Sequence, residues 1–167
     1  RLAVWIAKNS QDRKRPVIVY GHKNPYMVVC FLACAKAGRS YVPQDICIPV
    51  SRVDETVLSV EPELTFVVEG DYQTEIGTGI GKDEIEEIVK QETNETDVLQ
   101  PLTKDEVWYI IFTSGSTGKP KGVEITRDCL SHYLDWSVQL GSTMKEKSGA
   151  HFMNQAPFSF DLSVMDL

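Results

Sequence analysis

An apolar run that ends in a string of hydroxyls, glycines and lysines constrains this chain more than any other feature. Val107-Trp108-Tyr109-Ile110-Ile111-Phe112 reads as a buried strand. Thr113-Ser114-Gly115-Ser116-Thr117-Gly118-Lys119-Pro120-Lys121-Gly122 follows it with almost no side-chain bulk. Glycine lets the backbone take positive φ and approach a ligand closely. Successive N–H groups in such turns converge on an anion, Ser and Thr hydroxyls add donors, and lysine adds a compact charge. The stretch is a phosphate cradle, and the fold must present a strand end to it. Two rival loops fail on spacing. A Walker A loop needs Gly five residues before the Gly-Lys pair and a hydroxyl after it, where Thr113 and Pro120 stand. A hydrolase nucleophile elbow needs Gly two residues before the serine, where Ser114 precedes Ser116.

Strand-like and helix-like segments alternate around this stretch. Arg1-Leu2-Ala3-Val4-Trp5-Ile6-Ala7-Lys8 is helix-like but has no start signal, and the text after Val164 ends without a cap, so the chain reads as truncated at both ends. Pro16-Val17-Ile18-Val19-Tyr20 is a short strand stopped by Gly21. Asn24 offers an N-cap and Pro25 a first helical position. Residues 26–37 are apolar on nearly every face, which predicts a deeply packed helix, and Gly38 ends it. Tyr41-Val42-Pro43 and Pro49 bracket an extended connection. A helix then starts weakly at Ser51, with Val53, Val57, Leu58 and Val60 as its apolar face, and Pro62 closes it.

Leu64-Thr65-Phe66-Val67-Val68 is another buried-type strand. Gly77-Thr78-Gly79-Ile80-Gly81-Lys82 lacks the dinucleotide spacing, because its third glycine comes one place early, and reads as a polar turn. Residues 83–91 form a helix with Ile85, Ile88 and Val89 inward and its acids solvated, and residues 92–105 a polar surface linker. Beyond the cradle, Val123-Glu124-Ile125 is a strand. Thr126 caps a helix to about Leu140, whose core face is Cys129, Leu130, Tyr133, Leu134 and Val138. A loop over 141–149, a strand over 151–155 and a helix start near Asp161 complete the reading. The alternation predicts an α/β fold with a mainly parallel sheet layered with helices. Ligands of such sheets bind at the carboxyl ends of strands, which lets the cradle and Asp161 share one edge.

Charge and cysteines exclude several functions. The net charge is −7, so nucleic-acid binding through a phosphate-neutralising face is not expected. The longest apolar run, residues 26–35, is too short for a membrane span, and no secretory leader is visible at the start. Cys30, Cys34, Cys47 and Cys129 form no CxxC pair and read as buried thiols in a reducing cytosol, so a cytoplasmic protein is expected and no metal ligand is assigned. The Asn94-Glu95-Thr96 sequon is taken as chance. His22, His132 and His151 show no ligand or triad spacing, and Asp45 and Asp166 are expected to be structural.

The cradle resembles the phosphate-binding loop of the adenylate-forming enzymes: acyl-CoA synthetases, luciferases and peptide-synthetase adenylation domains. Ala37-Gly38-Arg39-Ser40-Tyr41-Val42-Pro43-Gln44-Asp45 is similar to an earlier core motif of that family. Phe160-Asp161-Leu162-Ser163 resembles its amino-group-binding motif, and the wider text from Asn154 is similar to the D-alanine-activating, carrier-loading branch. The resemblance implies that residues 1–167 are part of the large N-terminal domain of such an enzyme, with no second domain present. It implies ATP with Mg²⁺, D-alanine, and a phosphopantetheinylated D-alanyl carrier protein as partners, feeding lipoteichoic acid D-alanylation. Thr113, Ser114, Gly115, Ser116, Thr117, Gly118 and Lys121 match the ATP contacts, while Lys119 falls where the pattern varies. Asp161 matches the substrate-ammonium contact, with a helix N-cap as its other possible role. No catalytic residue is assigned, because no position here matches the family's catalytic lysine. A peptide-synthetase module, an acyl-CoA synthetase and a non-catalytic nucleotide-binding module remain alternatives, and the 167 residues alone are expected to be inactive.

Overall fold

A computed structural model describes residues 1–93, 96–114, 119–138 and 153–165. The expectations for Asn94, Gly115, Ser116, Thr117, Gly118, the 141–149 loop, His151 and Asp166 lie outside the described residues. Among the described residues, six strands form one sheet. They are β1 (Val17–Gly21), β2 (Tyr41–Asp45), β3 (Leu64–Val67), β4 (Thr78–Gly81), β5 (Val107–Ser114) and β6 (Pro120–Thr126), in spatial order β4-β3-β1-β2-β5-β6. The first five are parallel and β6 runs antiparallel to β5. The expected mainly parallel sheet is present, with a hairpin at the cradle edge.

Among the described residues, five α-helices flank it: α1 (Leu2–Asn9), α2 (Pro25–Lys36), α3 (Val50–Val60), α4 (Lys82–Lys90) and α5 (Arg127–Ser137). Alternation along each strand sorts side chains to two faces. Val17, Val19, Leu64, Phe66, Ile80, Tyr41, Tyr109 and Ile111 join α1, α2 and α4 in one core. Ile18, Tyr20, Val42, Val67 and Ile110 meet Val53 and Val57 of α3 on the other face. Two buried layers on one sheet explain why β1 and β3 read as continuous apolar runs.

Local chemistry sets the helix ends. The Asn24 side chain accepts from the Tyr26 N–H, with Pro25 at the first turn. Gly38, at φ +71, ends α2. Its N–H donates to Ala35 O and that of Arg39 to Cys34 O, a Schellman-type stop. An added Cβ on Gly38 would stand 2.2 Å from Gln100 O, so glycine is required there.

Several expectations change. The connection at Tyr41 is the interior strand β2, buried at every position. It pairs with β1 along its length but with β5 only at Tyr41↔Tyr109, and such a gap tolerates Pro43. The glycine-rich turn is the edge strand β4, because buried Ile80 pulls it against β3 while Gly77 supplies the left-handed corner. Helix α2 is not packed all round, since Val29 and Leu32 are exposed. Leu58 is exposed, and Thr56 joins Val53 and Val57 in facing the sheet. Leu102, placed in the linker, is buried. Helix α5 is capped by Thr126 as expected but buries none of its described residues: Leu134, Trp136 and Val138 are exposed. Cys30 and Cys34 are buried, with burial lifting the Cys30 thiol to about 12 and raising Cys34 as well, whereas Cys47 and Cys129 are exposed. Met153, Asn154 and Gln155 form no strand, and the start near Asp161 is a 3₁₀ turn, Asp161–Met165, rather than an α-helix.

Candidate active site

The cradle is carried by the β5–β6 hairpin. Its register pairs Tyr109↔Ile125, Ile111↔Val123, Thr113↔Lys121 and Ser114↔Pro120. Directly paired residues share a face, so Tyr109, Ile111, Thr113, Lys121, Val123 and Ile125 form one row-pair. That face opens on a cavity of about 520 Å³, lined by Tyr109, Ile111, Thr113, Val123, Ser159 and Asp161 among others. Thr113 and Asp161, separated by 48 positions in sequence (161 − 113), therefore meet at one cavity. Lys121 stands opposite Thr113 on the same face, at the cradle end. Lys119 precedes the hairpin pairing.

The Thr113 hydroxyl donates to Lys121 O at 3.4 Å and is exposed. Gly122 has a steric role: a Cβ there would meet Ile110 Cγ2 at 3.0 Å and Phe112 Cζ at 3.2 Å. Glycine leaves that room to Phe112, which lines both this cavity and a smaller one of about 190 Å³ with Gln44, Thr56, Thr113 and Pro120. A larger depression of about 640 Å³, by Tyr72 and Lys82, holds none of the predicted site residues.

Asp161 is set by a chain of turns. The Phe160 N–H donates to Pro157 O and the Ser163 N–H to Phe160 O. The Leu162 N–H donates to Asp161 Oδ1 at 2.9 Å, so the carboxylate caps its own turn and keeps Oδ2 for another partner. Asp161 is exposed rather than enclosed between phenylalanines, since Phe160 is itself exposed. Phe158 is the anchor. It is buried edge-on against Phe31, which stacks on Tyr41, which in turn stacks on Tyr109 of β5. Burial raises the Tyr109 hydroxyl above its ordinary pKa, and the Asp161 charge adds to the rise. The phenol thus stays neutral beside the carboxylate.

Four residues escaped sequence reasoning. Lys23, a non-glycine residue at φ +48, donates from Nζ to Asn154 O at 3.0 Å and Gln155 O at 2.5 Å, and so clamps the segment leading to Asp161. Phe158 and Phe112 carry no local mark that separates an anchor from any other core aromatic. His22, assigned nothing, pairs its Nδ1 with Asp45 Oδ2 at 2.7 Å, and buried Asp45 also accepts from the Cys47 N–H at 2.9 Å.

Residues 1–167 match the AMP-binding enzyme family over their whole length. The chain belongs to this family. It is 40% identical, over 99% of its length, to a D-alanine–D-alanyl carrier protein ligase of Bacillus thuringiensis, and covers 33% of that protein. The chain thus spans about a third of the length of the curated relatives it matches. In fold it is similar to the N-terminal subdomain of Klebsiella oxytoca NpsA, with a TM-score of 0.75 at 20% identity, covering 98% of this chain and 40% of that one. It is also similar to a nonribosomal peptide synthetase, FmoA3, with a TM-score of 0.76 at 22% identity over 99% of this chain and 17% of that one. These two likenesses show that the sheet and its helices take the fold seen in those two proteins. No helix among the described residues is long and apolar enough to cross a membrane.

Proposed function

We propose that the chain is part of a cytoplasmic ligase that activates D-alanine with ATP and loads it on a carrier protein. The observation that carries this reading is the meeting of Thr113 and Asp161 at one cavity. The 40% identity to a D-alanine–D-alanyl carrier protein ligase supports the choice of substrate. In the first step a D-alanine carboxylate oxygen attacks the α-phosphorus of ATP, and pyrophosphate leaves. In the second, a phosphopantetheine thiolate attacks the alanyl carbonyl carbon and AMP leaves. The product serves D-alanylation of lipoteichoic acid, with no part played by membrane insertion or nucleic acid.

The protein's work is positioning and charge stabilisation. Thr113, Ser114 and the Gly115, Ser116, Thr117, Gly118 backbone hold the phosphates of ATP, which enters as its Mg²⁺ complex, and Lys121 adds positive charge on the cavity face. Asp161 receives the D-alanine ammonium, for which Oδ2 is available. Neutral Tyr109 lines the floor beside it. Residues 1–167 form part of the large adenylation domain, and the catalytic lysine lies outside them. ATP–pyrophosphate exchange by the full-length protein, across D-alanine, L-alanine, glycine and a short fatty acid, tests this. Exchange strongest with D-alanine is expected. A stronger response to another acid overturns the substrate, and no exchange with any of them overturns adenylation itself.

A further inference from the structure

The geometry points to a second site, for a zinc ion, at the carboxyl ends of β1 and β2. His22 follows the last residue of β1, Asp45 is the last residue of β2, and Cys47 lies two positions beyond. One ligand atom from each lies within 4.8 Å of the other two. None of the three serves the cavity that holds Thr113 and Asp161.

The donor set selects the ion. Thiolate, imidazole and carboxylate together suit zinc, which takes mixed S, N and O ligands in a tetrahedron, whereas Mg²⁺ and Ca²⁺ want oxygen alone. Bonds of about 2.0–2.3 Å put tetrahedral donors roughly 3.3–3.6 Å apart. The His22–Asp45 pair, at 2.7 Å, has to open by less than about one ångström for an ion to replace the shared proton. Asp45 is buried and pre-oriented: Oδ1 is occupied by the Cys47 N–H, which leaves Oδ2 aimed at His22. Such outer hydrogen bonds fix a ligating carboxylate before the metal arrives. Cys47 is exposed and His22 is partly so, which gives the ion an entry path and lets water fill the fourth position. The ion would tie together the ends of two neighbouring parallel strands. That separates this site from the proposed chemistry, and its test needs no activity.

Titration of chelator-dialysed protein with Zn²⁺, and with Co²⁺ as a spectroscopic stand-in, decides the matter. One equivalent is expected to bind, with a thiolate-to-cobalt charge-transfer band. Cys47→Ser should abolish the band, and Cys47→Ser and His22→Gln should each weaken Zn²⁺ binding at least about ten-fold. Both side chains are accessible, so these variants keep the fold. Cys129→Ser, at the other exposed thiol, should change neither readout. Absence of zinc binding, a cobalt spectrum without the band, or a band lost in Cys129→Ser but kept in Cys47→Ser would each overturn the site.

Discussion

The two edges of the β2–β5 seam are built differently. On one side β1 and β2 are buried at every position, and α2 sends Met27, Cys30, Phe31, Ala33, Cys34 and Ala35 inward. On the other, β6 is mostly exposed and α5 buries none of its described residues. The same chain thus places its apolar side chains in a scaffold and leaves β6 of the hairpin open. The proposed role fits this, because a cradle that admits a nucleotide cannot also be a packed core. Substitutions should accordingly lower stability on the scaffold side and change catalysis on the hairpin side.

The largest effect is expected at Gly38. Its left-handed φ and the 2.2 Å approach to Gln100 O leave no room for a methyl group. Gly38→Ala should cost about 3–4 kcal/mol, read from the denaturant midpoint. A loss below about 1 kcal/mol would mean that the turn relaxes freely and that the scaffold is less rigid than its burial implies.

Phe158 straddles the division and so tests it most directly. Its ring belongs to the scaffold core, but its carbonyl accepts from the Ser163 hydroxyl of the Asp161 turn at 3.4 Å. Phe158→Ala should cost about 3 kcal/mol of stability and also raise the KM for D-alanine in the full-length protein. A rise in KM without loss of stability would assign Phe158 to the site alone. Asp161→Ala should do the reverse of Gly38→Ala. The residue is exposed and caps only its own turn, so stability should fall by no more than about 1 kcal/mol. The lost charge-assisted bond, worth about 1.5–3 kcal/mol, lowers kcat/KM for D-alanine roughly 10- to 150-fold while ATP binding survives. Unchanged kcat/KM would remove Asp161 from substrate binding.

What the sequence made legible was whatever rests on neighbours in the chain. Asn24 with Pro25, Gly38 and Thr126 each mark a helix end by local hydrogen bonding, and β1, β3 and β5 declare themselves by apolar runs. Strand β4 was hidden because three of its own and its flanking positions are glycine, and only Ile80 reports its burial. Strand β2 was hidden by Pro43, and its central place depends on β5, more than sixty residues later. The apolar stripe of α5 was legible as a stripe, but periodicity says which residues share a face and not whether anything covers it. At the site, residue types were visible and their meeting was not. Lys23 reaches Asn154 across 131 positions, and no spacing rule connects them.

The smallest expected effect is also the finest test of the hairpin geometry. Lys119 and Lys121 are two residues apart, equally charged and both exposed. Composition cannot separate them, but the register does. Lys121 pairs with Thr113 on the cavity face, and Lys119 stands before the paired residues. An exposed charge acting on a solvated phosphate is screened, so Lys121→Ala should raise the KM for ATP by only about five-fold, and less at high salt. Lys119→Ala should leave it unchanged within error. Equal effects would mean that the cradle reads net charge and not position. A larger effect at Lys119 would mean that the nucleotide approaches from beyond the hairpin end, and that the cavity shared by Thr113 and Asp161 is not where its phosphates lie.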